Sequence, residues 1–166
     1  MITITTNMGD VLELIKVKLN NINGQRICMA MANHAIGDMR KRIHVEGKDS
    51  NNSQIGTYSD GYMKVRTDNF KSDVYTRGKK KSEKRILYNR NEGTKVIASL
   101  TREMENTMKV FPLENGAGIG WDDKHNFDKS EWVEETYGKN IYQLTSDELS
   151  NVKRVAYEEV EKALAS

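Results

Sequence analysis

Residues 107–121, TMKVFPLENGAGIGW, decide the fold class. Met108, Val110 and Pro112 alternate with Thr107, Lys109 and Phe111, the period of two expected of a strand. Glu114-Asn115-Gly116 is a tight-turn signal, and residues 117–121 read as the returning strand of a β-hairpin. Pro112 is the only proline, and without an N–H it belongs at an edge or at the strand's end. Gly116, Gly118 and Gly120 alternate along the second strand, which fits a face approached closely by another backbone. No helix start or Lys-Ser/Thr pair follows these glycines, so they do not read as a phosphate-binding loop.

Outward from the hairpin the spacing turns helical. Val11, Leu12, Ile15 and Leu19 predict a helix over residues 8–21, with Asn7 as N-cap and Asp10 in the first turn. Ile27, Met31, Ala35, Met39 and Ile43 step by four and predict a second helix over residues 25–45. Arg40, Lys41 and Arg42 complement the dipole in its closing turns, and Gly47 supplies the stop. Val96, Ile97 and Leu100 predict a short helix over residues 95–104. Another is expected over residues 128–137, ended by Gly138, with a brief extended piece at 141–144. Thr145 and Glu148 have the capping-box spacing and open a last helix over 146–164. Leu149, Val152, Val155 or Ala156, Val160 and Ala163 fall on one of its faces. The expected architecture is α+β, a small antiparallel sheet flanked by two or more helices, with long polar loops. We expect one domain over residues 1–166, with a loop or arm region at about 47–93.

Composition narrows the function classes. With 37% hydrophobic and 30% charged residues and a mean hydropathy of −0.73, the interior is thin. Such a chain suits a small domain with exposed loops, or a subunit that completes its burial against neighbours. One cysteine, Cys28, excludes an intramolecular disulfide framework and fits a reducing compartment. The first residues lack the basic and apolar blocks of a signal peptide, and no run is apolar enough to span a membrane. Synthesis in a cytoplasm is expected.

Net charge is +2 but unevenly spread. Residues 122–166 hold 11 acids against 6 bases, and residues 1–121 hold 20 bases against 13 acids. The steepest stretch is RGKKKSEKR at 77–85, carrying Arg77, Lys79, Lys80, Lys81, Lys84 and Arg85 against one acid. This asymmetry suits head-to-tail contact between copies, or an acidic partner met by one face. It suits an ordinary solvated loop equally well. Tyr75 and Tyr88 flank the bases, and bases mixed with aromatics can hold phosphates and stack nucleobases. No helix-turn-helix, RNP or zinc-knuckle motif accompanies them.

Catalytic chemistry finds no constellation in the sequence. His34, His44 and His125 have no metal-ligand spacing, and Cys28 has no paired base within a turn. Asp122, Asp123 and His125 loosely suggest a divalent-ion cluster, although a polar turn after the hairpin explains them more simply. We therefore expect no enzyme activity, no cofactor and no metal.

Three stretches carry a family resemblance: MRKRIHVEGKDSNNSQIGTYS at 39–59, ASLTREMENTMKVFPLENGAGIGWDD at 98–123 and EETYGKNIYQLTSDELSNVKRVAYEEVEKAL at 134–164. In this order they resemble the tail-completion and virion-morphogenesis proteins of tailed bacteriophages, small neck proteins between portal and tail. Tyr137, Gly138, Lys139, Ile141, Tyr142, Leu144, Thr145 and Glu148 match the signature that opens the family's last helix. His44 stands where an aromatic is usual, Arg102 replaces a usual glycine, and residues 62–90 have no clear counterpart.

The resemblance implies a structural virion protein, a ring-forming subunit that joins head or portal to tail. Its partners would be copies of itself in a six- or twelve-fold ring, portal or neck proteins and tail proteins, with passing genomic DNA as a further contact and no membrane. Residues 47–59 then read as an assembly arm, wet in the monomer and ordered by the adjacent subunit. Gly47, Lys48, Asp49, Gln54, Ile55, Gly56 and Tyr58 would form that contact. The basic stretch would face DNA in the channel or pair with Glu158, Glu159 and Glu161 of a neighbour, the second being slightly favoured. The alternative from another class is a small nucleic-acid-binding protein that uses residues 77–90.

Overall fold

The computed structural model describes residues 22–68, 72–86, 93–114 and 116–165. The helix expected at 8–21, the stretch 87–90 and Tyr88 lie outside the described residues. Among the described residues, five α-helices and a two-stranded antiparallel sheet make the chain α+β with a small sheet, as the pattern predicts.

Helix α1 (Gly24–Lys41) widens at its end into one π-helical turn, Arg42–Glu46. Gly47 closes it, its N–H donating to Arg42 O with φ at +65°. A Cβ at Gly47 would also lie 2.3 Å from Val96 O, so both conformation and space demand glycine there. The expected helix and its glycine stop are thus found. The fourfold step is its inner face: Ala35, Met39 and Ile43 are buried, with Ala32 and Ile36 beside them.

The fold divides into two compact units. The first holds residues 24–37 of α1, the hairpin and the last helix. Strand β1 (Lys109–Leu113) pairs antiparallel with β2 (Gly116–Gly120), from Lys109 opposite Gly120 to Leu113 opposite Gly116. Pro112 stands opposite Ala117 in a sheet that has two strands among the described residues, so β1 is an edge strand there, the setting proline tolerates. The close backbone approach expected at the alternating glycines is absent among the described residues. A Cβ on Gly116 or Gly120 meets nothing within 4 Å, and one on Gly118 meets the Leu113 side chain at 3.5 Å. In the last helix (Ser146–Ala165) Val152 is buried and Val155, Ala156, Val160 and Ala163 are half-buried. Leu149, expected on that face, is instead exposed.

The second unit, residues 38–108 and 121–145, has its own core of Met39, Ile43, Ile55, Val96, Ile97, Met104, Met108 and Ile141. Its helices are α2 (Asp60–Arg66), α3 (Glu103–Thr107) and α4 (Lys124–Tyr137), which makes the last helix of the chain α5. Helix α2 arises inside the supposed loop region because Ser59 caps it, Oγ accepting from Tyr62 N at 3.3 Å. The helix expected at 95–104 is a correction. Lys95 bridges Thr57, Tyr58 N donates to Thr94 O (2.8 Å), and Val96 N donates to Gly56 O (2.9 Å). Extended backbone serves the β-branched Val96 and Ile97 better, and helix begins only at Glu103. Helix α4 starts earlier than the apolar spacing suggests, since Asp123 caps it through Asn126 N at 2.7 Å.

Candidate functional site

Two distant stretches of the second unit interlock. Arg42, 5% exposed, donates through Nη1 to Lys48 O (3.1 Å) and Ile141 O (3.0 Å) and through Nη2 to Gln143 O (2.8 Å). One guanidinium thus satisfies three carbonyls, two of them from residues about a hundred positions away. Asp49, equally buried, turns its own loop: Oδ1 accepts from Asn51 N and Ser53 N, both at 2.9 Å. Its other oxygen meets Lys139 Nζ at 3.3 Å, and the same ammonium donates to Gln54 O. Ser50 N donates to Asn140 O (2.9 Å), and Glu134 Oε1 accepts from Ile141 N (2.6 Å) and Tyr142 N (3.0 Å). Gly56 lies against the Tyr137 ring, where a Cβ would come within 2.8 Å of ring carbon.

This corrects the picture of residues 47–59 as an arm ordered only by a neighbour. Lys48 bridges Gln54, Ile55 N donates to Gly47 O (2.9 Å), and Ile55 is a core residue. Backbone bonds and the Asp49 carboxylate replace the missing apolar content. Exposed to solvent are Asn51, Asn52, Ser53 and Gln54, with Lys48 half-buried beside Glu46 at 2.8 Å. The lysine beside Glu46 holds that carboxyl below its usual range. Tyr58 is half-buried under the Arg66 guanidinium, 4.5 Å from its ring centroid, and its hydroxyl accepts from Ile97 N at 3.2 Å. Burial raises the Tyr58 phenol above its usual value.

The residues of the predicted signature act in the scaffold. Gly138 ends α4 in the left-handed region, Ile141 is fully buried, and Tyr142 meets Trp121 edge-on at 5.1 Å. Burial first, and then the nearby Glu134 carboxylate, push the Tyr142 phenol up. Thr145 and Glu148 are both buried where α5 begins, and Leu144 is half-buried.

Beside this interlock the second unit holds an open cleft of about 660 Å³. Tyr58, Tyr62, Leu100, Met104, Trp132 and Tyr137 give it an apolar lining, and Lys129 pairs with Glu103 at 3.1 Å on its rim. Trp132 is 70% exposed. Sequence reasoning missed this tryptophan and the buried Arg66, which donates to Ser99 O at 2.6 Å. The closeness of Tyr58 and Tyr62 in the sequence, whose rings lie 5.0 Å apart across the start of α2, was an available signal.

The basic stretch forms a separate tongue at residues 72–86. Tyr75 N donates to Glu83 O (3.0 Å), Arg85 N to Asp73 O (2.8 Å), and Val74 bridges Lys84. Arg85 pins the neck, its Nε within 3.0 Å of Ser72 O and 3.1 Å of Val74 O, its guanidinium 4.7 Å above the Tyr75 ring. Arg77, Lys79, Lys80, Lys81 and Lys84 are exposed around a tip turned by Gly78 (φ +81°) and Ser82 (φ +71°). Arg85 is therefore structural, and the other five are displayed.

Among the described residues no helix is long and apolar enough to cross a membrane. None of their His, Cys, Asp and Glu side chains gather in threes as a metal site would require. Asp123, once a candidate ligand, spends its carboxylate on Asn126, accepting from both N and Nδ2. Comparison with family models, with curated proteins and with solved structures finds no match to this chain.

Proposed function

We propose that this chain is a structural subunit of a tailed-phage virion, a ring-forming neck or tail-completion protein that joins head or portal to tail. The carrying observation is that parts of two of the three stretches bearing the resemblance, 42–59 and 137–145, bind one another although Arg42 and Ile141 stand 99 positions apart. Residues that resemble a family signature at separate sites in the sequence thus form one module through Arg42, Asp49 and Lys139. Surface features add support. Exposed polar side chains at 51–54 present hydrogen-bonding groups to solvent, and the aromatic cleft leaves Trp132 largely uncovered. An exposed apolar surface of this kind marks a contact site, and in this reading its occupant is the next copy in the ring. Catalysis is not part of the proposal.

The test is incorporation. Purified chain and purified tailed particles are compared by native mass and by quantitative mass spectrometry. A fixed six- or twelve-fold copy number in particles supports the reading. Absence from particles made in cells that express the chain overturns it.

A further inference from the structure

We propose that the tongue at residues 72–86 is a sequence-independent contact for the backbone of duplex DNA. Its five displayed cations, Arg77, Lys79, Lys80, Lys81 and Lys84, have no ion-pair partner within 4 Å among the described residues. A basic run that merely keeps a loop wet needs no scaffold. This one has a neck pinned by backbone bonds and by the Arg85 fork, and a tip turned by two left-handed residues. The scaffold holds like charges together against their own repulsion, an arrangement repaid by a polyanion.

Two further observations choose the polyanion. The described tip, residues 76–84, has no aromatic side chain, and one face of the Tyr75 ring is taken by the Arg85 guanidinium at the neck. The tip that displays the cations therefore offers no ring for base stacking, which favours contact with phosphates over capture of single strands. The acidic face of α5, the rival partner, is partly engaged already. Glu158 pairs with Arg154 at 2.5 Å, and Glu159 with Lys162 at 2.6 Å and Arg26 at 3.9 Å. A neighbour's helix thus offers the tongue fewer free acids than its sequence suggests. The inference draws on the neck-subunit reading only for the source of the DNA.

The experiment measures binding of the full-length chain to a labelled random-sequence duplex by fluorescence anisotropy across a fourfold range of salt. With five phosphate contacts at a slope of about −0.9 each, that rise should weaken wild-type binding roughly 500-fold. The triple variant Lys79→Gln, Lys80→Gln, Lys81→Gln keeps two contacts and should lose only roughly 12-fold over the same range, from a weaker start. All three positions are exposed, so an unchanged thermal melt verifies that the variant folds. Equal affinity and slope in wild type and variant would overturn the inference, as would tighter binding to single strands. Rescue of a charge-reversed tongue by reversal of Glu158, Glu159 and Glu161 would also overturn it, in favour of a protein contact. Particle incorporation, measured separately, tests the neck reading. A chain that binds duplex through the tongue but never enters particles sinks that reading and leaves this one standing.

Discussion

Arg42→Met is the sharpest perturbation of the interlock. The methionine stem preserves most of the volume, but the donors to Lys48 O, Ile141 O and Gln143 O are gone. A hydrogen bond to a charged group contributes about 1.5–3 kcal/mol, so three summed independently would give about 4.5–9 kcal/mol. That sum is too large, because the three share one guanidinium and its desolvation, and Gln143 is exposed enough for water to replace one donor. We expect a loss of about 3–5 kcal/mol, at the scale of a broken buried charged network. In urea, with a slope of about 2 kcal/mol/M, the midpoint should fall by about 2 M. Arg42→Lys should recover little, since a single ammonium cannot span carbonyls on two chain segments. A midpoint shift below about 0.5 M for Arg42→Met would refute the claim that this side chain locks 42–59 to 137–145.

The remaining predictions concern other parts of the second unit. Gly47→Ala meets both a left-handed φ and the Val96 carbonyl, and should cost at least about 2 kcal/mol in the same urea titration. His44 is buried, with Nδ1 donating to Ile97 O at 3.2 Å and Nε2 without a hydrogen-bond partner among the described residues. Desolvation, first among the causes and aided by Arg40, lowers its pKa from 6.5, against the opposing pulls of the Ile97 and Ala98 carbonyls and of Glu105. The folded state therefore binds this proton less readily than the unfolded chain, so its stability contribution is present above about 6.5 and is lost as pH falls toward the lowered value. His44→Phe, placing an aromatic at this position, should flatten the pH dependence of the urea midpoint in that window; parallel profiles would contradict the assignment. Trp132→Glu changes a side chain that is 70% exposed, so stability should shift by no more than about 0.5 kcal/mol while ring formation or particle incorporation is lost. Incorporation at wild-type levels would remove the cleft from the proposed contact.

The fold was legible where a local period and a stop signal coincide. Residues 25–47 show both, as do the hairpin strands β1 and β2 and α5 from Ser146. At 95–104 the same kind of period misled, because Val96 and Ile97 are buried by pairing with 56–58 rather than by lying on one helix face. Sequence spacing carries no record of a partner forty positions away. The loop at 47–59 was misread for a related reason: its order comes from Asp49, Arg42 and Lys139, polar groups that look solvated until their partners are known. Arg85 likewise reads as one more cation of a run, and its bonds to Ser72 O and Val74 O and its position over Tyr75 distinguish it from Lys84.

The central claim is that this chain is built into a virion, and the direct measurement is its copy number in purified tailed particles, by quantitative mass spectrometry against the major tail protein. The account predicts a fixed six or twelve copies per particle, unchanged by high-salt washing. A chain abundant in the lysate yet missing from those particles would contradict it.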